Sequence, residues 1–230
     1  MLNRYARAFF TRVLTPTAQL LLRLGVGPDT VTVVGTLGVV VSALVFFPHG
    51  HFFWGTIAVT CFIFSDLLDG TMARLAGRVS KWGGFLDATM DRFGDAAIFG
   101  SLAYYFAVNH KIGMFLACMI CLISGSVTSY ARAKAESLGY ECSVGLIERG
   151  ERLVGSLVAT GLAGLGVPFV QAIALWALAL GSTATVVQRI LHVRKQALAA
   201  GPQPLPGTAD AASAENTATA ETPATVEAAE

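Results

Sequence analysis

Six apolar stretches constrain this chain more than any other feature: Val31 to Phe47, Phe52 to Leu68, Phe85 to Val108, Ile112 to Tyr130, Leu153 to Gly166 and Phe169 to Leu191. Each approaches the roughly 20 residues that carry a helix across a bilayer. With 54% hydrophobic and 13% charged residues and a mean hydropathy of +0.61, the chain is too apolar for an ordinary soluble domain. The pattern predicts an all-α integral membrane bundle of six transmembrane helices. The fifth stretch is short and is expected to recruit residues from Gly145 onward, while the third carries Asp87, Asp91, Arg92 and Asp95 in its first half. Pro48-His49-Gly50, Asn109-His110-Lys111 and Gly166-Val167-Pro168 read as short turns; the alternate connections are longer and more polar.

The net charge of +1 says little, but the placement of charge is informative. Arg4, Arg7, Arg12 and Arg23 precede the first span; Arg74, Arg78 and Lys81 lie between the second and third; Arg132, Lys134, Arg149 and Arg152 lie between the fourth and fifth; Arg189, Arg194 and Lys195 end the sixth. Only Lys111 falls on the other side. Because lysine and arginine resist translocation, both termini and both polar connections are expected to face the cytoplasm, in a multi-pass protein of the cell membrane. Residues Leu2 to Leu24 alternate arginines with Phe9, Phe10, Val13, Leu14, Leu20, Leu21 and Leu22, the pattern of a helix lying in the membrane interface. Gly25-Val26-Gly27-Pro28 breaks it, and Asp29 or Thr30 is expected to cap the next helix. The division is therefore 1–27 interfacial helix and breaker, 28–195 six-helix core, and 196–230 a disordered tail of Ala, Thr, Pro and Glu. Cys61, Cys118, Cys121 and Cys142 lack disulfide-framework spacing and read as packing residues. No cleaved signal peptide is expected, because Arg4, Arg7 and Arg12 interrupt the amino-terminal stretch.

The chemistry concentrates in Ser65-Asp66-Leu67-Leu68-Asp69-Gly70-Thr71-Met72-Ala73-Arg74 and Gly83-Gly84-Phe85-Leu86-Asp87-Ala88-Thr89-Met90-Asp91-Arg92. Asp66 and Asp69 are three apart and Asp87 and Asp91 four apart, so each pair projects from one face of its helix. A short loop joins the two helices, which predicts antiparallel neighbours with converging carboxylates. Each Asp at mid-span costs about 2.5 to 3.5 kcal/mol, so four of them demand compensation. Arg74, Arg78 and Arg92 can pair with some, yet four like charges still repel. Two divalent cations neutralise the group, and hard oxygen ligands suit magnesium, manganese or calcium, which can clamp and activate a pyrophosphate. Gly70 and Ala73, with Gly77 a turn on, leave a bare helical face for a ligand. Against this stand two structural readings: a lone intramembrane Asp is often an ion pair, and a Gly-x-x-Ala face is often helix packing. Neither accounts for two spaced acidic pairs interleaved with small residues and arginines.

The order Asp66, two residues, Asp69-Gly70, two residues, Ala73-Arg74, eight residues, Gly83, three residues, Asp87, three residues, Asp91 resembles the CDP-alcohol phosphotransferase signature at every defined position. The resemblance covers approximately residues 1 to 195. It implies six transmembrane helices behind an interfacial helix, a homodimer, contact with membrane lipid, and no nucleic-acid partner. It implies two divalent metal ions, magnesium or alternatively manganese, on Asp66, Asp69, Asp87 and Asp91. Asp91 would also be the base that deprotonates the acceptor hydroxyl, which attacks the β-phosphorus of CDP-diacylglycerol and expels CMP. Gly70, Ala73, Arg74 and Ser80 would hold the nucleotide and its phosphates, with Asp29, Thr30, Val31 and Thr32 beside the CDP group. Pro28-Asp29-Thr30 reads equally well as a plain helix start.

The acceptor is outside that signature. Arg132, Arg152 and Arg189, with Ser129 one turn from Arg132, can surround one cavity and suit a phosphomonoester; the same cations also read as ordinary topology-setting charges. The stretches from Ser129 to Glu136 and from Glu148 to Arg152 resemble the actinobacterial phosphatidylinositol phosphate synthases, which implies inositol 3-phosphate as acceptor. Alternatives are glycerol 3-phosphate with the same chemistry and, more distantly, a divalent-cation or proton-coupled transporter, which would need carboxylates near the midplane and a route to the far side. A non-catalytic scaffold would leave the paired carboxylates without purpose. Asp95 continues the Asp87 and Asp91 face but stays outside the catalytic set: it can orient a sugar hydroxyl or pair with an arginine.

Overall fold

The computed structural model describes residues 15–77 and 80–201, and the side chains of Asp66 and Leu67 lie outside that description. The described chain is helical, without a strand: α1 over residues 15–23, α2 Pro28–Phe46, a single 3-10 turn Phe47–His49, α3 Phe52–Leu75, α4 Lys81–Val108, α5 Ile112–Ser137, α6 Arg149–Gly164 and α7 Val170–Ala200.

Local chemistry explains the boundaries. Pro28 opens α2 at the first helical position, behind Gly27, whose extended backbone supplies no side-chain cap. Asp29, expected as a cap, instead accepts the Trp82 indole N–H at 3.1 Å and ties the start of α2 to the start of α4. Gly77, expected to extend the bare face of α3, instead terminates it with φ +62°, a left-handed conformation that favours glycine. Ser80 caps α4 by accepting from the Gly83 amide at 3.0 Å. Glu148 and Glu151 form a reciprocal capping box at the start of α6. That box fixes the start at Arg149, so residues 145–148 are not recruited into the helix. α6 has 16 residues, about 24 Å at 1.5 Å per residue. The sixth expected span continues to Ala200, past the boundary at 195.

The six long helices close into a ring. α2 packs on α3, α3 on α6, α6 on α7, α7 on α5, α5 on α4, and α4 on α2. The two carboxylate-bearing helices, α3 and α4, are therefore not close-packed neighbours; α2 packs against both and stands between them. Gly164 permits a close approach of one backbone to another, because a Cβ there would lie 2.3 Å from the backbone nitrogen of Phe53. α1 docks Ala18 against Val31 of α2 and Met72 of α3. Leu2 to Leu14, with Arg4, Arg7 and Arg12, fall outside the described residues, as do Arg78 and the tail from 202 onward.

The distribution of side chains is that of a protein in lipid. Thr36, Ser42, Ser124, Thr128, Ser156, Thr160, Ser182 and Thr185 are buried between helices, whereas Val34, Leu37, Val41 and Leu44 form an exposed stripe along α2. Small hydroxyl residues between the helices, beside an apolar core, and branched apolar residues outside suit helices whose solvent is hydrocarbon. Among the described residues four helices are long and apolar enough to cross a membrane: Pro28–His49, Phe52–Leu75, Ile112–Ser137 and Val170–Ala200. α4 carries the acidic and basic residues of the site, and α6 falls short of the roughly 30 Å hydrocarbon core.

Candidate functional site

Two cavities open side by side, separated by the first turns of α4. The first, about 450 Å³, lies between the start of α2, the end of α3 and the start of α4. Asp29 and Thr32 line it from α2, Asp69, Gly70, Ala73 and Arg74 from α3, and Ser80 and Asp87 from the α4 entry. Asp29 and Thr32 are three apart on a helix and share a face. Thr30 and Val31 point elsewhere and do not line the cavity; Val31 is buried in the apolar cluster with Ala18 and Met72. Of the four residues expected beside the CDP group, two therefore line this cavity and two do not, because successive helical residues are turned by roughly 100°.

Asp69 is 7% exposed. The Thr32 hydroxyl, which also reaches the Pro28 carbonyl at 3.2 Å, donates to Asp69 Oδ2 at 2.5 Å. This bond spans α2 and α3 and orients the carboxylate toward the cavity wall it shares with Asp87. Arg74 contributes the positive charge there and donates to Thr71 Oγ1 at 3.2 Å. A Cβ on Gly70 would meet nothing closer than the Arg74 guanidinium at 3.9 Å, so the floor is bare and open to a ligand.

The second cavity, about 360 Å³, lies between α4, α5, α6 and α7. Every residue expected to contact an acceptor phosphate reaches it: Ser129, Arg132, Arg152 and Arg189 all line it, together with Asp91, Arg92 and Arg149. Their present partners differ. Arg132 is half-exposed and pairs with Glu136 at 2.8 Å. Arg189 is buried and donates to the carbonyls of Val144 and Thr128 at 2.9 and 2.7 Å. Ser129 accepts from Arg92 at 2.8 Å. Arg152 is 1% exposed and pairs with Asp95 at 2.9 Å.

Asp91 faces this second cavity, one helical turn from Asp87 in the first. Its Oδ1 lies 2.8 Å from Arg149 Nη2, and its Oδ2 lies 3.9 Å from Arg92. The four signature carboxylates thus do not crowd one pocket: Asp69 and Asp87 share the first cavity, Asp91 borders the second, and Asp66 lies on α3 with its side chain outside the description. Among the described residues no three carboxylate, imidazole or thiol groups stand close enough to enclose a metal ion. The donor chemistry nevertheless suits a hard divalent cation, because Asp69 and Asp87 offer carboxylate oxygens to one cavity and Asp69 is already oriented by Thr32.

Sequence reasoning left Arg92, Arg149 and Asp95 outside the expected site set, and of the two readings open for Asp95 the structure shows the pairing with arginine. Asp95 is 3% exposed, accepts from Arg149 and Arg152 and is ion-paired with Arg92 as well. The signal was the continuation of the Asp87 and Asp91 face by one more turn, opposite the basic stretch that begins α6.

The family description CDP-alcohol phosphatidyltransferase matches residues 26–187 of the chain. A phosphatidylinositol phosphate synthase from Streptomyces avermitilis is 57% identical over 204 residues, covering 85% of this chain and 84% of its own length. Proteins of the same description from Cutibacterium acnes and Corynebacterium glutamicum are 50% and 40% identical, over 82% and 86% of this chain and 96% and 92% of their own. Among solved structures, a Mycobacterium tuberculosis phosphatidylinositol phosphate synthase with CDP-DAG bound superposes with a TM-score of 0.76 at 40% identity, over 79% of this chain and 94% of that one. The same mycobacterial enzyme in complex with manganese and citrate superposes with a TM-score of 0.75 at 39% identity, over 78% and 88%.

Proposed function

Because the chain belongs to the CDP-alcohol phosphatidyltransferase family, we propose that it transfers the phosphatidyl group of CDP-diacylglycerol to a hydroxyl of inositol 3-phosphate, giving phosphatidylinositol phosphate and CMP. One observation carries the reading. A single turn of α4 places Asp87 in one cavity and Asp91 in the other, so a nucleotide lipid in the first and a phosphorylated polyol in the second meet across that turn. The relatives described as phosphatidylinositol phosphate synthases support the same acceptor.

In the donor cavity, the bare surface of Gly70 and Ala73 receives the nucleotide, Arg74 faces its phosphates, and Asp29 and Thr32 close the wall. Asp66, Asp69 and Asp87 would hold two divalent ions, magnesium in preference to manganese, with Asp91 at their edge. Such ions, when bound, offset the charge of the pyrophosphate and of the departing CMP. In the acceptor cavity, guanidiniums match phosphomonoester oxygens by charge-assisted bidentate bonds, and Ser129, Arg132, Arg152 and Arg189 present that surface. Asp91 takes the proton from the attacking hydroxyl. The acceptor oxygen then bonds to the β-phosphorus, the bond from that phosphorus to the bridging oxygen breaks, and CMP leaves with the electron pair.

The same reading makes α2 to α7 six spans. It makes α1 and the residues before it an interfacial helix, residues 28–195 the catalytic core and 196–230 an appended tail. It also places both termini and both cavities on the cytoplasmic face of the cell membrane, and the working unit is a homodimer.

Purified protein given CDP-diacylglycerol with labelled inositol 3-phosphate or glycerol 3-phosphate tests the acceptor. Inositol phosphate incorporation with stoichiometric CMP release is expected, abolished by a chelator and restored by magnesium or manganese. Exclusive use of glycerol 3-phosphate would replace the acceptor. Asp91→Asn should lower turnover by roughly 100-fold or more, in line with losing general-base catalysis, while CDP-lipid affinity stays close to the original. A fully active variant would remove Asp91 from the mechanism.

A further inference from the structure

Behind the acceptor cavity lies a carboxylate that does not line it. Asp95 is 3% exposed, one turn deeper in α4 than Asp91. Its Oδ1 accepts from Arg149 Nε at 3.2 Å; its Oδ2 accepts from Arg152 Nη2 at 2.9 Å and lies 3.3 Å from Arg92 Nη1. All three arginines do line the cavity. One buried anion therefore sets the placement of three guanidiniums that come from two helices.

Two details separate this from a simple neutralising pair. Asp91 and Asp95 are two carboxylates against three guanidiniums, so the cluster keeps an excess of positive charge facing the cavity, and Arg152 Nε is a buried donor without a hydrogen-bond partner. Such a group is costly to bury. The second detail is steric. A Cβ on Gly125 of α5 would stand 2.5 Å from Arg152 Cζ, so the bare glycine is what lets this guanidinium fit between α5 and Asp95. Arg92 also reaches toward the Gly125 carbonyl at 3.4 Å. α4, α5 and α6 thus jointly clamp the arginines.

We propose that Asp95 is a positioning residue for the acceptor: without touching substrate, it holds Arg92, Arg149 and Arg152 in the arrangement that grips the acceptor's phosphomonoester. Through Arg149, which also bonds Asp91 at 2.8 Å, the same carboxylate couples the grip on the phosphate to the orientation of the base. The proposal rests on the acceptor reading above.

The test is steady-state kinetics of the full chain in detergent micelles containing CDP-diacylglycerol, with Asp95→Asn, Asp95→Glu and Gly125→Ala. Asp95→Asn should raise the inositol 3-phosphate KM roughly tenfold or more, the scale of losing an orienting partner behind charged ligands. The CDP-diacylglycerol KM should stay within about twofold. Asp95→Glu should recover part of the loss. Gly125→Ala removes no charge and should reproduce the acceptor defect by displacing Arg152; if Asp95→Asn does not fold, this variant decides alone. An unchanged acceptor KM in the folded variants, or a parallel rise in both KM values, overturns the proposal. Calorimetric binding of inorganic phosphate separates it from the reaction assignment. Phosphate binding by the wild-type chain that Asp95→Asn and Gly125→Ala both lose supports the positioning role even if inositol 3-phosphate proves not to be the acceptor. Equal binding in all three, or none in the wild type, overturns it.

Discussion

At Gly70 the absence of a side chain leaves the floor of the first cavity open. The nearest atom to a built Cβ is the Arg74 guanidinium at 3.9 Å, so a larger residue is tolerated by the fold and projects into the donor cavity instead. Gly70→Leu should leave the thermal unfolding midpoint almost unchanged while raising the CDP-diacylglycerol KM by roughly tenfold or more, since a small misplacement of a reacting group costs that much. Equal KM values in mutant and wild type would show that the nucleotide lies elsewhere. Side-chain direction on α2 follows the same logic. Asp29 and Thr32 share the cavity face, whereas Val31, adjacent in sequence to both Thr30 and Thr32, turns into the Ala18 and Met72 cluster. A contiguous run of four residues was legible as a helix start near the site, but only the helical period sorts which of them reach it.

The helices are set against one another by small residues at points where backbones nearly touch. A Cβ on Gly164 would stand 2.3 Å from the Phe53 backbone nitrogen, and the backbone cannot rotate aside as a side chain can. Gly164→Ala should force α6 from α3 and cost about 1–3 kcal/mol, the range for overpacked interiors, read as a lower midpoint of thermal unfolding in detergent. A midpoint equal to that of the wild type would mean the α3 and α6 contact is slack. The extent of α6 shows a limit of hydropathy. The apolar run suggested recruitment from Gly145, but the Glu148 and Glu151 capping box satisfies the first amides at Arg149 and stops the helix there. α3 and α4 are joined by a short loop and still do not pack closely, because α2 returns between them. Loop length constrains where helices can go, and the apolar faces decide which of them touch.

For the molecule as a whole, the charge asymmetry predicts Lys111 on one side of the membrane and the arginine-rich helix ends that border both cavities on the other. In a Cys61→Ala background, with Cys118, Cys121 and Cys142 buried, a membrane-impermeant thiol reagent should label Lys111→Cys in intact cells. It should label Gly201→Cys only after permeabilisation; the opposite pattern would invert the topology. By itself the sequence determined the helical class, the lipid-facing composition, the paired spacing of Asp66 with Asp69 and of Asp87 with Asp91, and the arginines at the helix ends. Periodicity and charge are local properties, written in residues three and four apart. Only the tertiary structure decided that Asp87 and Asp91 line different cavities, that α2 stands between the acidic helices, and that Asp95 gathers Arg92, Arg149 and Arg152. Those relations join residues up to 57 positions apart in the chain, and they arise from how the ring of helices closes, which no local pattern encodes.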